Sequence, residues 1–419
     1  MIKKIEIAKN TLYQIVGKFF TASSTLLVTM LVTRTFGPEG YGDFMIMTTY
    51  PSFYWIMVDF GFNQIAVRKM RRSRQESVHI FSDLLFLRFF LSLFFFAIAW
   101  IVLRFLPYSV AVKQGASVNL LSLFFLSFFQ SVCSLFQARL DYGLQLIAQI
   151  VGALSRLILV GLFVYLGFST FYTVMGVLLS YFFQAFAGAL LSRKFLTWAD
   201  LKVNFPRAKK LFFTAIPVGL ALVFNILDFK IDSLMLSILP LPEGMKNNAA
   251  VGFYSTAFKI FDVVLALPFF FVSSVYPVLI SRYKESKEKA RFLFSKAFRI
   301  LLMLSLVCFI FGELFASLMI RVLAGGEFTA AVLPLRILFI GLPLFFSSSL
   351  LSHTVMVLDE QKKLPWIYGF ATVVNVFLNF IFIPRYAYLA AAVITGVTEL
   401  LIFVYLLRLV FRSKLFNRG

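Results

Sequence analysis

About a dozen apolar segments follow one another along this chain, and its basic residues collect at every second connection between them. Each segment runs roughly 20–30 residues, enough to cross a hydrocarbon core about 30 Å thick. Basic loops at alternate connections give such a ladder a definite orientation in a bilayer. The pattern predicts an all-α integral membrane protein with spans near 10–36, 43–66, 79–106, 117–138, 144–166, 170–191, 211–238, 250–280, 291–322, 331–358, 364–384 and 388–410.

Composition agrees. The 419 residues are 60% hydrophobic and 14% charged, whereas soluble domains carry about 25% charged residues. A net charge of +21 would suggest nucleic acid in a soluble protein. Here the charges sit in loops too short to form a duplex-binding domain, so no nucleic-acid partner is expected. They are read as topogenic, with attraction to anionic membrane lipids as a secondary role. Cys133 and Cys308 lie in apolar runs without C-x-x-C spacing, and His79 and His353 stand far apart, so neither a metal site nor a redox pair is indicated. The run from Thr11 to Phe36 follows Lys3, Lys4 and Lys9; it is too long for a signal-peptide core and reads as an uncleaved first span.

The N-terminus, the even-numbered loops and the C-terminus hold most of the lysines and arginines, with the heaviest clusters at Arg68–Arg74, Arg193–Lys210 and Arg282–Arg299. These regions and both termini are assigned to the cytoplasm. The odd-numbered loops are short and rich in turn formers, such as Gly37-Pro38-Glu39-Gly40 and Leu241-Pro242-Glu243-Gly244. A linker at 192–210 separates an N-terminal six-span half (1–191) from a C-terminal one (211–419). The halves echo each other. The fourth span leaves through Arg139-Leu140-Asp141 and the tenth through Val357-Leu358-Asp359. A six-span unit used twice in the same orientation implies two pseudo-symmetric lobes related by an axis along the membrane normal, around a central cavity.

Ionisable groups inside spans are costly against lipid and mark function. Lys18, Asp59, Arg88, Arg156, Asp228, Lys230, Asp232, Lys259, Asp262, Glu313, Arg336 and Glu399 all fall inside predicted spans. Asp228 and Asp232 share a helix face from which Lys230 points away. Lys259 and Asp262, three apart, are spaced to pair. Arg336 and Glu313 lie near span ends and can snorkel. Lys18, Arg88, Arg156 and Lys230 have no acid one turn away and are candidates to line a wet cavity, with Lys259. Buried cations want an anion, and phosphate or pyrophosphate fits. A lipid-linked pyrophosphate fits further, because its tail stays in the bilayer. Asp59, Asp232, Asp262 and Glu399 are candidates for carrying a coupled proton or sodium ion. No nucleotide-binding loop or dinucleotide fingerprint is present. The outer loops are also short for an active-site lid, so neither an enzyme nor a cofactor is expected.

Several motifs, in order and spacing, resemble flippases of the Wzx type. They include Asn10-Thr11-Leu12-Tyr13-Gln14, Arg34-Thr35-Phe36-Gly37-Pro38-Glu39-Gly40-Tyr41-Gly42 and Asp59-Phe60-Gly61-Phe62-Asn63. Lys230-Ile231-Asp232, Val251-Gly252-Phe253-Tyr254-Ser255, Asn375-Val376-Phe377-Leu378-Asn379 and Ile383-Pro384-Arg385 are similar to the same family. The resemblance implies the multidrug/oligosaccharidyl-lipid/polysaccharide exporter superfamily, with twelve helices in two lobes. It implies movement of an undecaprenyl-pyrophosphate-linked oligosaccharide from inner to outer leaflet, by alternating access, in the cytoplasmic membrane of a bacterium or archaeon. Other polysaccharide-assembly membrane proteins would be partners. Such proteins line their cavity with the first, second, seventh and eighth spans, which carries over Lys18, Asp59, Asn63, Lys230, Asp232 and Lys259 as site residues. Lysine at 18, 230 and 259 departs from the arginine-rich cavities of the family. A cation-coupled multidrug exporter of the same fold and a non-transporting scaffold of glycan synthesis are the alternatives; the first is disfavoured by Lys18, since cationic drugs call for acids and aromatics.

Overall fold

The computed structural model describes residues 2–71, 73–197, 200–413 and 415–416; of residues 2–8, 11, 74, 217, 218, 221, 225 and 228 only the backbone is described. Among these residues the chain is helical almost throughout, with no strand. The helices are α1 (Ile2–Asp59), α2 (Phe62–Met70), α3 (Arg74–Phe105), α4 (Val110–Asn119), α5 (Ser122–Ala138), α6 (Tyr142–Tyr165), α7 (Thr170–Ser192), α8 (Phe205–Ile238), α9 (Asn247–Glu285), α10 (Lys287–Ala324), α11 (Val332–Ile340), α12 (Leu342–Val357) and α13 (Leu364–Phe411).

Among the described residues, eight helices are long and apolar enough to cross a membrane, and the bent pair α11–α12 adds a ninth. Two of the eight are double. Gly37 breaks α1 at φ 66° and Ala387 breaks α13 at φ 46°. Dividing these helices there, and adding the 34-residue α8, brings the ladder to the twelve rungs read from the sequence. The chain is a multi-pass membrane protein. Its lipid-facing rows are apolar, as in Met303, Val307, Phe311, Leu314 and Leu318 on α10, while Ser, Thr, Asn and a few charges are buried inside.

Local chemistry sets the helix ends. Ser73 accepts the N–H of Glu76 at 3.0 Å to start α3, and the Asn204 amide oxygen accepts the N–H of Arg207 at 3.0 Å to start α8. The echo between halves has a structural form. After α5, Leu140 adopts φ 57° and the Asp141 N–H reaches the Phe136 carbonyl at 3.0 Å; after α12, Asp359 adopts φ 59° and the Glu360 N–H reaches the Val355 carbonyl at 3.1 Å. Both spans therefore end in the same left-handed cap, with Leu140 rather than Asp141 in the place of Asp359.

The chain divides into two compact units: residues 1–36 with 43–223, and 37–42 with 224–419. The division falls inside α8, not at the 192–210 linker expected from sequence. The reason is packing. Leu211 and Ala215 of α8 join Phe62, Met70, Phe81, Leu84, Val132 and Phe136 in one apolar cluster of the first unit. Fully buried Asp83 holds the start of α8, accepting from the Asn204 N–H at 2.9 Å and gripped by the Arg207 fork.

The turn Gly37–Gly42 belongs to the second unit. There Tyr41 is buried edge-on to Phe328, and Glu39 pairs with Lys246 at 2.9 Å. A Cβ at Gly42 would stand 1.7 Å from the Asn248 carbonyl oxygen, and one at Gly252 would stand 2.3 Å from that of Pro38. Gly42, at the end of the turn, and Gly252, within α9, thus permit one backbone crossing.

Candidate functional site

The first unit holds a buried polar network on α3. Arg88 is 1% exposed and donates to Asp59 Oδ1 at 2.5 Å, to Asn63 Oδ1 at 3.2 Å and to Ser131 Oγ at 3.0 Å. Ser134 also donates to Asn63 Oδ1. Removing a guanidinium from water is tolerable only with a paired charge and further hydrogen bonds, and both are supplied here. The expectation that Arg88 lines an anion cavity gives way to this pairing: Arg88 and Asp59 neutralise each other, and Asn63 Oδ1 is held between Arg88 and Ser134. The partner arrives from the end of α1, which local spacing on α3 does not disclose.

Lys18 and Arg156 stand differently. Lys18 is exposed on α1, in a row with Gln14, Thr21 and Thr25. Arg156 on α6 is half-buried; its Nη1 donates to Thr25 Oγ1 at 3.1 Å, and its guanidinium lies 5.2 Å from the Tyr181 ring centre. No carboxylate among the described residues pairs with it.

The second unit holds two clusters. In one, Asp232 of α8 is fully buried and accepts three hydrogen bonds. Tyr254 of α9 and Thr395 of α13 donate to Oδ2 at 2.8 and 2.7 Å, and Asn379 of α13 donates to Oδ1 at 2.7 Å. Asn379 also donates to Asn375 Oδ1 at 2.7 Å, while Asn379 Oδ1 and Asn375 Nδ2 are buried without a partner. The set presents carboxylate, amide and hydroxyl oxygens from three helices, suited to a proton or a small hard cation. The kink at Ala387 lets Asn379 and Thr395 of one long helix approach the same carboxylate. Glu399, 4% exposed, lies one turn beyond Thr395 and beside Ser348. No group of three or more His, Cys, Asp or Glu side chains among the described residues forms a metal cluster.

In the other cluster, Lys230 of α8 lies within electrostatic reach of Lys259 and Asp262 of α9. Lys230 and Lys259 are half-buried and Asp262 is exposed. Lys230 and Asp232, two residues apart, serve different faces of α8, as expected from helical geometry. The expected Asp228–Asp232 face falls partly outside the described side chains. Arg336 and Glu313, expected to snorkel separately, lie 3.6 Å apart as an ion pair.

The structure thus brings together Arg88, Asp59 and Asn63 in one network, and Lys230, Lys259 and Asp262 in another. Tyr254, Asn375, Asn379 and Thr395 join the Asp232 cluster, which sequence reasoning missed. A signal existed for two of them, because asparagines four apart inside a span share a face and need a partner.

Residues 7–281 match the model of the family described as polysaccharide biosynthesis protein. No curated protein matches the chain. Among solved structures, an inward-facing multidrug resistance MATE transporter of the MOP superfamily is similar with a TM-score of 0.79 at 17% identity, over 96% of this chain and 98% of that one. The lipid II flippase MurJ in an inward closed conformation is similar with a TM-score of 0.77 at 18% identity, over 96% and 87%. A MOP superfamily transporter from Pyrococcus furiosus, described by a reversed polarity of its binding pocket, reaches 0.67 at 16% identity, over 97% and 95%. At these identities the likeness establishes the fold.

Proposed function

The chain belongs to the polysaccharide biosynthesis protein family, and from that premise we propose that it flips a polyprenyl-pyrophosphate-linked oligosaccharide from the inner to the outer leaflet. One observation carries the reading: two lysines, Lys230 of α8 and Lys259 of α9, lie within electrostatic reach of each other inside spans. Two ammonium groups brought together at that depth favour an anionic ligand. A pyrophosphate brings the required charge, and its lipid tail never leaves the bilayer. Lys18, on the exposed face of the first span, is a further cation proposed to meet an anionic substrate. The fold shared with a protein described as a lipid II flippase supports the same class of substrate.

Alternating exposure to the two leaflets needs a driving force. The Asp232 cluster is assigned to it, with a proton or sodium ion bound at the carboxylate; Glu399, one turn from Thr395, is the second acid on that path. Neither reaction chemistry nor a nucleotide is required. Anionic lipids would hold the basic loops, with both termini in the cytoplasm.

The test is transport of a lipid-linked oligosaccharide in proteoliposomes containing the purified full chain, scored by accessibility of the glycan to an external glycosidase. Wild type is expected to move the substrate, and Lys230→Ala and Lys259→Ala each to lose at least tenfold in rate while inserting normally. Undiminished rates in both variants would remove the head-group assignment. Failure of the wild type to flip any lipid-linked glycan, together with efflux of a cationic dye, would replace the reading with multidrug export.

A further inference from the structure

Within the first unit, two polar rows lie on helices that oppose each other. On α1 the row is Gln14, Lys18, Thr21 and Thr25; on α6 it is Gln145, Gln149, Gly152 and Arg156. Both have the spacing four, three, four, which keeps each row on a single helix face. Direct contacts put the faces together. Arg156 reaches Thr25 at 3.1 Å, and Ser24 donates to the Ala153 carbonyl at 2.9 Å. Gly17 seats Gln149, whose Oε1 would lie 2.2 Å from a Cβ added there. From α7, Gln184 fits over Gly152 in the same manner, and the Tyr181 ring meets the Arg156 guanidinium. The seam runs for about 16 Å along α6 at 1.5 Å per residue.

Much of the hydrogen-bonding capacity of this seam is unspent. The side-chain amides of Gln149 and Gln184 bond to no other described residue, and neither is sealed from solvent. Arg156 Nε has no partner. Arg88 in a span interior faces the Asp59 carboxylate, and Arg336 nearer a span end faces Glu313; Arg156 faces a hydroxyl and a ring. Helices that need only adhere do not gather donors and acceptors without partners, because each is costly against lipid. The apolar face of α6, with Leu154 and Ile158 exposed, shows what contact with acyl chains selects.

We propose that this α1–α6–α7 seam reads the sugars of the substrate, and that Arg156 within it selects an oligosaccharide bearing a carboxylate. The inference rests on the lipid-linked oligosaccharide reading given above and adds which end of the substrate the first unit holds. Amides donate and accept at once, as sugar hydroxyls require. A tyrosine ring offers an apolar platform to a sugar face. A guanidinium fork grips a carboxylate through two parallel bonds, whereas a neutral sugar would leave its charge without an ion partner.

The test uses the full chain in nanodiscs and three probes without lipid: a glucuronate-containing tetrasaccharide, a neutral tetrasaccharide and inorganic pyrophosphate. Wild type is expected to bind the acidic sugar at least tenfold more tightly than the neutral one. Arg156→Gln should erase that preference and leave pyrophosphate binding intact; Arg156→Lys, which keeps the charge and loses the fork, should retain only part of it. Joint Gln149→Leu and Gln184→Leu should weaken both sugars, and Lys230→Ala only pyrophosphate. Thermal unfolding of each variant within a few degrees of wild type separates binding from folding. Equal affinity for the two sugars in wild type, or loss of pyrophosphate in place of sugar in Arg156→Gln, overturns the proposal. Proteoliposome transport separates the two readings: flipping without an Arg156-dependent sugar preference defeats this inference alone, and an Arg156-dependent preference without flipping defeats the flippase.

Discussion

Arg88 and Asp232 show how differently two buried ionisable groups are satisfied. Arg88 has a charged partner, so removing either member of its pair strands the other. Arg88→Ala is expected to cost about 3–5 kcal/mol, read as a loss of thermal stability in detergent, with the double variant Arg88→Ala, Asp59→Ala recovering part of it. A double variant no more stable than the single one would show that the ion pair is not what holds α3 to the end of α1. Among the described residues Asp232 accepts hydrogen bonds from neutral donors only, which leaves its charge to be matched by a proton or cation. Asp232→Asn preserves size and most hydrogen bonds. It should therefore leave stability nearly unchanged, abolish the dependence of transport on an ion or pH gradient and slow transport at least tenfold. Gradient-dependent transport persisting in this variant would move the coupling role to Glu399.

At the scale of elements, the informative places are where helices break. Ala387 holds φ 46° and ψ −130° inside α13, a conformation that an L residue adopts at a cost of about 1–3 kcal/mol. Ala387→Gly should raise the melting temperature, since glycine reaches that region freely and little packing is lost with one methyl. A lower melting temperature would mean that the methyl contacts outweigh the strain. Gly42 and Gly252 have the opposite constraint: backbone oxygens occupy the place of a Cβ. Gly252→Ala should cost about 1–3 kcal/mol through overpacking, and the bulkier Gly252→Leu should prevent stable accumulation in the membrane. Near-normal yield of Gly252→Leu would show that the crossing of Pro38 over α9 opens readily. The positions of these breaks were legible. Gly37-Pro38 and Pro384-Arg385 announce interruptions in apolar runs. That residues 37–42 pack with α9 and Phe328 was not, because a turn's sequence states its shape and not its neighbours.

For the whole molecule, charge alternation predicts sidedness. In a background with Cys133→Ser and Cys308→Ser, Glu243→Cys should react with a membrane-impermeant maleimide added to intact cells, and Lys287→Cys only after permeabilisation. The reverse result would invert the protein in the bilayer and with it the direction of the proposed transport. The twelve rungs themselves needed nothing beyond hydropathy, because lipid demands an unbroken apolar helix of fixed minimum length at every crossing. The division between units needed more. The linker at 192–210 marks where the chain is most polar, yet the start of α8 packs on α2, α3 and α5 through Leu211, Ala215 and the Asp83–Arg207 clamp. Cooperative packing, and not loop composition, places the boundary at 223.

By itself the sequence determined the solvent, the number of crossings and their breaks, because these depend on how apolar each stretch is and on residues with special backbone freedom. It also exposed every charge inside a span. Which of those charges are neutralised was decided only by tertiary structure. Helix rotation and neighbour choice put Asp59 against Arg88, Tyr254, Asn379 and Thr395 around Asp232, and a hydroxyl instead of a carboxylate beside Arg156. In lipid, helices are oriented by side-chain packing and interhelical hydrogen bonds, and those act between segments far apart along the chain.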